Sequence, residues 1–219
     1  MTGTDAGALL VDTLAIGRDL VAFVGAGGKS TLLRAVAGTL AGRGLRVVTT
    51  TTTKMGRDQV ADLPSFWAAG GDDRKVVGPP PEAIDERWRT GTADAIVVEA
   101  DGARHRLVKA PAPYEPVIPS CSTLVVAVMA ADALGRPIAD VAHRPERVAV
   151  VVGCDETDVL TLDRAVRLAT SPDGMQARLP AAARFAVAVT RVGSRERVAA
   201  GALVAALGRA GVTVVLVPR

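Results

Sequence analysis

Short, continuously apolar runs alternate along the chain with longer stretches in which apolar residues recur at helical spacing. The apolar runs are predicted strands and cover residues 20–24, 45–51, 95–98, 124–129, 185–189 and 212–217. The predicted helices cover residues 6–16, 29–41, 81–89 and 195–209, with a short strand at 76–77. Apolar strands separated by helices are typical of a buried parallel sheet covered on both faces. The sequence therefore predicts an α/β fold of three layers with a mostly parallel sheet.

Two stretches fit this alternation poorly. Residues 58–84 are interrupted by Gly, Pro and Asp, which are frequent in turns. Residues 148–152 have the composition of a strand, whereas Arg144-Pro145-Glu146 just before them is typical of a helix start. We expect one domain over residues 1–219, in which residues 137–180 are the candidate for a helical insertion.

A glycine loop follows the first predicted strand and reads Gly25-Ala26-Gly27-Gly28-Lys29-Ser30-Thr31. Glycines let the backbone turn so that successive amides point at phosphate oxygens, and the N-terminus of the next helix adds its positive dipole end. In such a loop Lys29 neutralises the β- and γ-phosphates and the Ser30 hydroxyl ligates Mg²⁺. The motif predicts a nucleotide-binding P-loop and a fold similar to that of the P-loop NTPases.

The loop is shorter than the usual Walker A pattern, because Phe23 stands where that pattern has its first glycine. Its spacing, G-x-x-G-K-[ST]-[ST], resembles the ATP-binding loop of the Mur ligases. A dinucleotide fingerprint is the alternative, but its third glycine falls on Ser30 and the acidic ribose-binding residue is absent. The threonines from Thr49 to Thr53 would suit a cofactor with a 2′-phosphate, so an NADP-binding oxidoreductase stays open.

Acidic residues follow the strand at 95–98. Glu99 and Asp101 lie two positions apart, so on an extended chain both side chains point to the same side. A carboxylate at the end of a buried strand beside a P-loop is the Walker B arrangement, which holds Mg²⁺ or orients the attacking group. We predict Ser30, Glu99 and Asp101 as metal ligands, and Lys29, Glu99 and Asp101 as catalytic residues.

Further polar residues are candidates for contacting a substrate. Thr52 and Lys54 follow the second main strand, at the same edge of the sheet as the P-loop. A charged, proline-rich loop after Asp101 carries the cations Arg104 and Lys109, and long ordered loops are often functional. His143 and Arg144 form a second candidate clamp for an anion.

Composition narrows the classes of function. A net charge of +3, with no basic block, does not indicate a nucleic-acid partner. Cys121 and Cys154 have the spacing of neither a zinc site nor a disulfide framework, and no apolar run reaches membrane-spanning length. Residues 1–8 lack the features of a signal peptide. We expect a cytoplasmic protein with no membrane partner.

Four stretches together resemble the YqeC family, described as accessory proteins for maturing selenium-dependent molybdenum hydroxylases. They are the glycine loop from Phe23 to Thr31, residues 49–54, the segment Val98-Glu99-Ala100-Asp101-Gly102-Ala103-Arg104 continuing through Lys109-Ala110-Pro111 to Glu115-Pro116-Val117-Ile118-Pro119, and His143-Arg144-Pro145-Glu146. The resemblance implies a fold similar to that of the P-loop NTPases. Together with the glycine loop and the acidic pair, it predicts binding of ATP or GTP with Mg²⁺, followed by hydrolysis or phosphoryl transfer. It also implies a molybdenum hydroxylase or a cofactor-maturation enzyme as the partner.

One departure from that family concerns the base of the nucleotide. Relatives tend to read Asn-Lys-x-Asp after the strand at 185–189, a pattern that recognises guanine in GTPases. Here Arg191 replaces the lysine and Gly193 replaces the aspartate. The choice between ATP and GTP therefore stays open. So does the choice between an enzyme and a nucleotide-gated binding module.

Overall fold

The structure of the protein, a computed structural model, describes residues 3–219. The first two residues of the predicted N-terminal stretch lie outside them. In chain order the elements are α1 (Gly3–Thr13), β1 (Leu20–Gly25), α2 (Lys29–Gly42), β2 (Val47–Thr51), β3 (Lys54–Gly56), α3 (Arg57–Val60), β4 (Phe66–Trp67), β5 (Gly70–Gly71), β6 (Lys75–Val77), α4 (Pro81–Arg89), β7 (Ala95–Glu99), β8 (Val108–Lys109), β9 (Leu124–Ala130), α5 (Ile138–Val141), β10 (Ala142–His143), α6 (Pro145–Val152), α7 (Leu162–Thr170), β11 (Arg184–Val192), α8 (Arg197–Arg209) and β12 (Thr213–Pro218).

Seven parallel strands form the main sheet in the order β12-β11-β9-β1-β7-β2-β4. Successive residues of β1 face opposite sides: Val21 and Phe23 pack with α1 and α2, while Ala22 and Val24 pack with α6, α7 and α8. The predicted three-layer α/β fold with a mostly parallel sheet is confirmed. Because all seven strands run the same way, their carboxyl ends share one edge, where this architecture binds ligands.

Two small sheets lie apart from the main one. Strands β3, β6 and β5 form an antiparallel sheet, and β8 pairs with β10. Of these, the sequence predicted only residues 76–77, because strands of two or three residues carry too little periodicity to be recognised.

Helix α6 resolves the ambiguity at residues 148–152. Pro145 opens the helix with its fixed φ, and Gly153 ends it in the left-handed conformation at φ 73°. Val148 and Val152 are buried one turn apart, whereas Val150 is 81% exposed. The valines follow helical spacing, so the helix start in the sequence was the better guide. Helices α5, α6 and α7 all fall within residues 137–180, and the description of that stretch as an insertion stays a prediction.

Among the described residues, no helix combines the length and the apolar character needed to cross a membrane.

The end of the loop that follows β7 is fixed by one buried carboxylate on α4. Asp85 accepts hydrogen bonds from Ser120 N at 3.0 Å, Ser120 Oγ at 2.6 Å and Cys121 N at 2.8 Å. These contacts hold the chain immediately before β9, which lies beside β1 in the sheet.

Replacing this carboxylate should destabilise the protein. Asp85→Ala leaves two amides and a hydroxyl without their acceptor, and we expect the free energy of unfolding to fall by about 1–3 kcal/mol. Urea unfolding followed by circular dichroism measures the change, with Glu86→Ala on the exposed side of the same helix as control. Equal unfolding midpoints for the two variants would show that Asp85 does not hold this segment.

Candidate functional site

The glycine loop between β1 and α2 depends on glycine at two positions. Gly25 and Gly27 have φ values of 88° and 91°, in the region that side chains disfavour. A Cβ at Gly25 would lie 2.4 Å from Val128 O, and one at Gly27 would lie 2.8 Å from Leu107 O. Thr190 on β11 also donates to Gly27 O at 2.5 Å. The loop is thus held in shape by β9, by β11 and by the loop before β8.

Backbone amides of this loop are left without acceptors. The first amide that bonds back into α2 belongs to Leu32, which donates to Gly28 O at 3.0 Å, and no side chain caps the helix. The amides of residues 27–31 make no hydrogen bond to another described residue. Unpaired amides at a helix N-terminus, in a glycine loop, form an anion-binding site.

Lys29 lies folded against its own loop. Its ammonium donates to Gly25 O at 2.6 Å and lies 3.1 Å from Asp101 Oδ1, and only 4% of its side chain is exposed. The other oxygen of Asp101 accepts from Gly25 N at 3.0 Å. Asp101 therefore holds both the lysine and the first glycine of the loop.

The contacts of Asp101 continue into a buried series of charges, which we call the ion-pair chain: Lys29, Asp101, Lys109, Glu115 and Arg144. Lys109, fully buried, lies 3.2 Å from Asp101 and 2.8 Å from Glu115, and it donates to Gly102 O at 2.5 Å. Arg144 lies 2.6 Å from Glu115. The chain connects the P-loop to the N-terminus of α6.

Opposing effects set the pKa of Glu115. Burial would raise it, but the hydrogen bonds from Lys109 and Arg144 bring the pKa of Glu115 below its ordinary value. Glu115 is therefore ionised at neutral pH and completes the pairing of both cations.

Glu99, at the end of β7, contacts Ser30 of the glycine loop. Ser30 Oγ donates to Glu99 Oε2 at 2.6 Å. Burial raises the pKa of the Glu99 carboxyl above its ordinary value, although Lys29 and Ser30 act in the opposite direction. A cation placed beside this buried side chain would stabilise its ionised form.

The oxygen donors at this point fit Mg²⁺. Mg²⁺ prefers oxygen ligands and usually keeps waters and substrate phosphates among them, so a serine hydroxyl and one carboxylate suffice from the protein. Among the described residues no group of three or more His, Cys, Asp or Glu offers an all-protein metal site. The metal role predicted for Asp101 stays a prediction. In this structure both of its carboxylate oxygens contact Gly25, Lys29 or Lys109.

A cleft of about 890 Å³ opens at this edge of the sheet, in the upper part of the roughly 300–1,000 Å³ range of ligand pockets. It is lined by the P-loop, by the small sheet of β3 and β6, and by the loop after Asp101. The lining residues are Gly27, Gly28, Lys29, Ser30, Thr31, Thr53, Lys54, Gly56, Asp58, Gln59, Lys75, Glu99, Gly102, Ala103, Arg104, His105, Arg106, Glu115 and Arg191.

The predicted substrate residues fall into two groups. Lys54 and Arg104 are exposed and line the cleft. Thr52 donates its hydroxyl to Val117 O at 2.7 Å, and so fixes the loop after Asp101. Lys109 lies in the ion-pair chain, with no exposed side-chain surface.

The second candidate clamp lies behind the cleft. His143 pairs with Lys109 across β10 and β8, and Arg144 belongs to the ion-pair chain. Burial and the charges of Arg144 and Lys109 lower the pKa of His143 to about 4, so this imidazole is neutral at neutral pH. In this conformation neither residue lines the cleft.

Residues that the sequence did not single out also line the cleft or shape it. Thr190 is one of them and supports the P-loop. Arg191, which the sequence marked only as a departure in the pattern that recognises guanine, also lines the cleft and contacts Asp132 at 2.8 Å. Lys75 is a further lining residue. Lysines are rare in this chain, so their scarcity was the one signal that pointed to Lys75. The support from Thr190 depends on the packing of β11 beside β9 and has no local signature.

Comparison with known proteins gives a family. Residues 21–146 match the family described as YqeC protein. The chain is 35% identical over 202 residues to the uncharacterized protein YqeC of Escherichia coli (strain K12), covering 82% of this chain and 79% of that protein. A remote likeness exists to the crystal structure of hydrogenase maturation factor HypB from Archaeoglobus fulgidus, with 10% identity, 99% of this chain and 87% of that chain covered, and a TM-score of 0.45. With more than half of its length matched to the family and a relative at 35% identity, this chain belongs to the YqeC family.

Proposed function

We propose that the protein binds ATP or GTP together with Mg²⁺ and hydrolyses the nucleotide or transfers its terminal phosphoryl group. The observation that carries this proposal is the set of unpaired amides at residues 27–31, next to the ammonium of Lys29. Amides and a lysine at a helix N-terminus suit the β- and γ-phosphates of a nucleotide.

Mg²⁺ would be held by the Ser30 hydroxyl and the carboxylate of Glu99, which already contact each other. When bound, it would neutralise phosphate charge and fix the positions of the phosphate oxygens. Glu99 is also the best placed carboxylate to orient the attacking group, because it lines the cleft directly beside the P-loop.

In this proposal Lys29 contacts either its protein partners or the phosphates of the nucleotide. It contacts Asp101 and Gly25 O in the structure, and a bound phosphate would compete with both for the ammonium. Phosphoryl transfer depends mainly on positioning and charge neutralisation, so moving one buried cation onto the phosphates is a substantial part of the catalytic work.

The role in the cell that we propose is accessory: maturation of selenium- or molybdenum-dependent enzymes, with a hydroxylase or a cofactor-maturation enzyme as partner. Membership of the YqeC family supports this role.

A nucleotide-gated binding module is the second candidate, and the ion-pair chain favours it. Taking Lys29 away from Asp101 leaves Lys109 as the one cation on that carboxylate, and the contacts of Lys109 with Glu115 extend from there to Arg144 at the start of α6. A module of this kind would change its affinity for a partner with nucleotide state and would need little turnover.

An NADP-binding oxidoreductase is the least favoured reading. Its 2′-phosphate would need the threonine hydroxyls at the end of β2. Thr49, Thr50 and Thr51 donate theirs to Pro64 O, Trp67 O and Glu99 O, at 2.7–2.8 Å.

Removing the P-loop lysine tests nucleotide binding. In Lys29→Ala the phosphates lose a charged donor, and we expect the affinity for Mg²⁺-nucleotide to fall about 10- to 100-fold. Calorimetric titration with ATP and with GTP, each with and without Mg²⁺, measures the loss and identifies the base.

The control for this variant is Arg43→Ala, which removes an exposed cation at the far end of the same helix. Equal nucleotide affinity in the native protein and Lys29→Ala, or equal losses in both variants, would refute the P-loop function.

Glu99→Gln tests the carboxylate beside Ser30. Because burial raises the pKa of Glu99, the ionised side chain costs the folded state free energy at neutral pH, and this cost disappears as pH falls toward 4.5, the ordinary glutamate value. Urea midpoints should therefore be higher for Glu99→Gln than for the native protein at pH 7, with a difference that shrinks toward pH 5. Turnover should fall by at least about 100-fold.

Glu156→Gln, an exposed neutral replacement, serves as the control and should change neither quantity. A Glu99→Gln variant that is less stable at pH 7, or one with native turnover, would remove Glu99 from this role.

A further inference from the structure

The lysines of this chain are concentrated around one cleft. The sequence has 26 lysines and arginines, and only four of them are lysine: Lys29, Lys54, Lys75 and Lys109. Three of the four line the cleft, and the fourth belongs to the ion-pair chain behind it. A P-loop uses one lysine for its nucleotide, so Lys54 and Lys75 are in excess of that need.

The small antiparallel sheet presents these two lysines on one face. Lys54 pairs with Val77 and Gly56 pairs with Lys75, so both lysines share a face because side chains alternate along strands. Met55 and Val76 face the other way and are buried, at 2% and 4% exposure. One face of the small sheet is therefore buried, and Lys54 and Lys75 lie on its other face, where both line the cleft.

Arg104 joins the two lysines from the opposite loop. Arg104 and His105 have φ values of 47° and 61°, and Arg106 N closes the turn by donating to Ala103 O at 3.0 Å. Arg106 itself donates to Asp140 O at 2.7 Å, which secures the turn to α5. The loop thus holds Arg104 at the cleft in a backbone conformation that non-glycine residues rarely adopt.

Most charged side chains that line the cleft have a partner of opposite charge or a hydrogen bond, but those of Lys54, Lys75 and Arg104 have neither. Lys29 has Asp101, Arg191 has Asp132, and the carboxylates Glu99 and Glu115 contact Ser30 and the ion-pair chain. The side chains of Lys54, Lys75 and Arg104, which we call the cationic wall, form no hydrogen bond or ion pair with another described residue. Two carboxylates lie near the wall: Asp58, which lines the cleft, and Asp72, which attracts Lys54 and accepts a hydrogen bond from Lys75 N. Three cations against these two carboxylates leave the wall with a net positive charge.

We propose that the cationic wall is a second binding subsite, for a small molecule that carries a phosphate or pyrophosphate group, next to the nucleotide held by the P-loop. The proposal rests on the proposed nucleotide-binding function and names the class of its co-substrate. Lysine ammonium groups bind phosphate as point charges, and an arginine adds a planar, bidentate donor. The size of the cleft leaves room for such a molecule beside the nucleotide.

The test separates the two sites by filling the first. The protein is saturated with the imido analogue of ATP or GTP and excess Mg²⁺, and inorganic pyrophosphate is then titrated by calorimetry. We expect a second binding event, weakened about tenfold or more in Lys54→Ala/Lys75→Ala, with the affinity for the analogue changed by less than about twofold.

A charge-matched control is Arg197→Ala/Arg209→Ala on α8, which removes two exposed cations that do not line the cleft. This control should bind pyrophosphate like the native protein. Native affinity in the lysine double variant, or equal losses in both double variants, would overturn the proposal. So would an equal loss of analogue affinity in the lysine variant, because the wall would then belong to the nucleotide site.

Failure of the nucleotide function gives a different result. If the analogue does not bind the native protein, pyrophosphate is titrated alone onto the native protein, Lys29→Ala and the lysine double variant. Loss in the double variant with retention in Lys29→Ala would support the wall as an anion site of its own. Loss in Lys29→Ala alone would refute it.

Discussion

One buried carboxylate, that of Asp101, is the constraint on which the site depends. It accepts from Gly25 N and lies between the ammonium groups of Lys29 and Lys109, with 2% of the residue exposed. Two buried lysines side by side would be strongly destabilising without it, because an unpaired buried charge costs about 3–5 kcal/mol. The surrounding charges balance in number, with three cations against three carboxylates: Lys29, Lys109 and Arg144, and Asp101, Glu115 and Glu99.

This balance explains how the architecture serves its proposed function. Asp101 immediately follows the carboxyl end of β7, and Glu99 ends that strand, so one segment supplies both the partner of Lys29 and the partner of Ser30. Phosphates entering the loop bring negative charge to a group that is neutral as a whole, and they compete with Asp101 for Lys29. When Lys29 leaves Asp101, the attraction of Asp101 for Lys109 changes, and the contacts of Lys109 with Glu115 and of Glu115 with Arg144 connect that change to the start of α6. Catalysis and gating would then depend on the same contacts. Fast turnover of the nucleotide would indicate an enzyme, and slow turnover would indicate a nucleotide-gated binding module.

The sequence predicted the parts of this site that have local signatures. The glycine loop, the seven residues from Gly25 to Thr31, is recognisable because its backbone needs glycine and a helix start together, and Glu99 because an acidic residue ends an apolar strand. Lys109 could not be placed in this way: a lysine in a charged loop is normally solvated, and its burial depends on two carboxylates that the fold brings to it. Strands β3 and β6 are too short for a periodic signal. The sequence of α6 was compatible with either a strand or a helix because valine favours strands. The structure shows a helix, in which the valines are buried at helical spacing.

The affinity of Asp101→Asn for Mg²⁺-nucleotide tests this role of Asp101 most directly. Asparagine keeps the size of the side chain and an acceptor for Gly25 N, but it no longer holds Lys29 by charge. Calorimetric titration beside urea unfolding should show a less stable protein that binds Mg²⁺-nucleotide at least as tightly as the native one. Binding weakened about tenfold or more in the presence of Mg²⁺, and unchanged without it, would contradict the role of Asp101 as counter-ion and would make it a metal ligand instead.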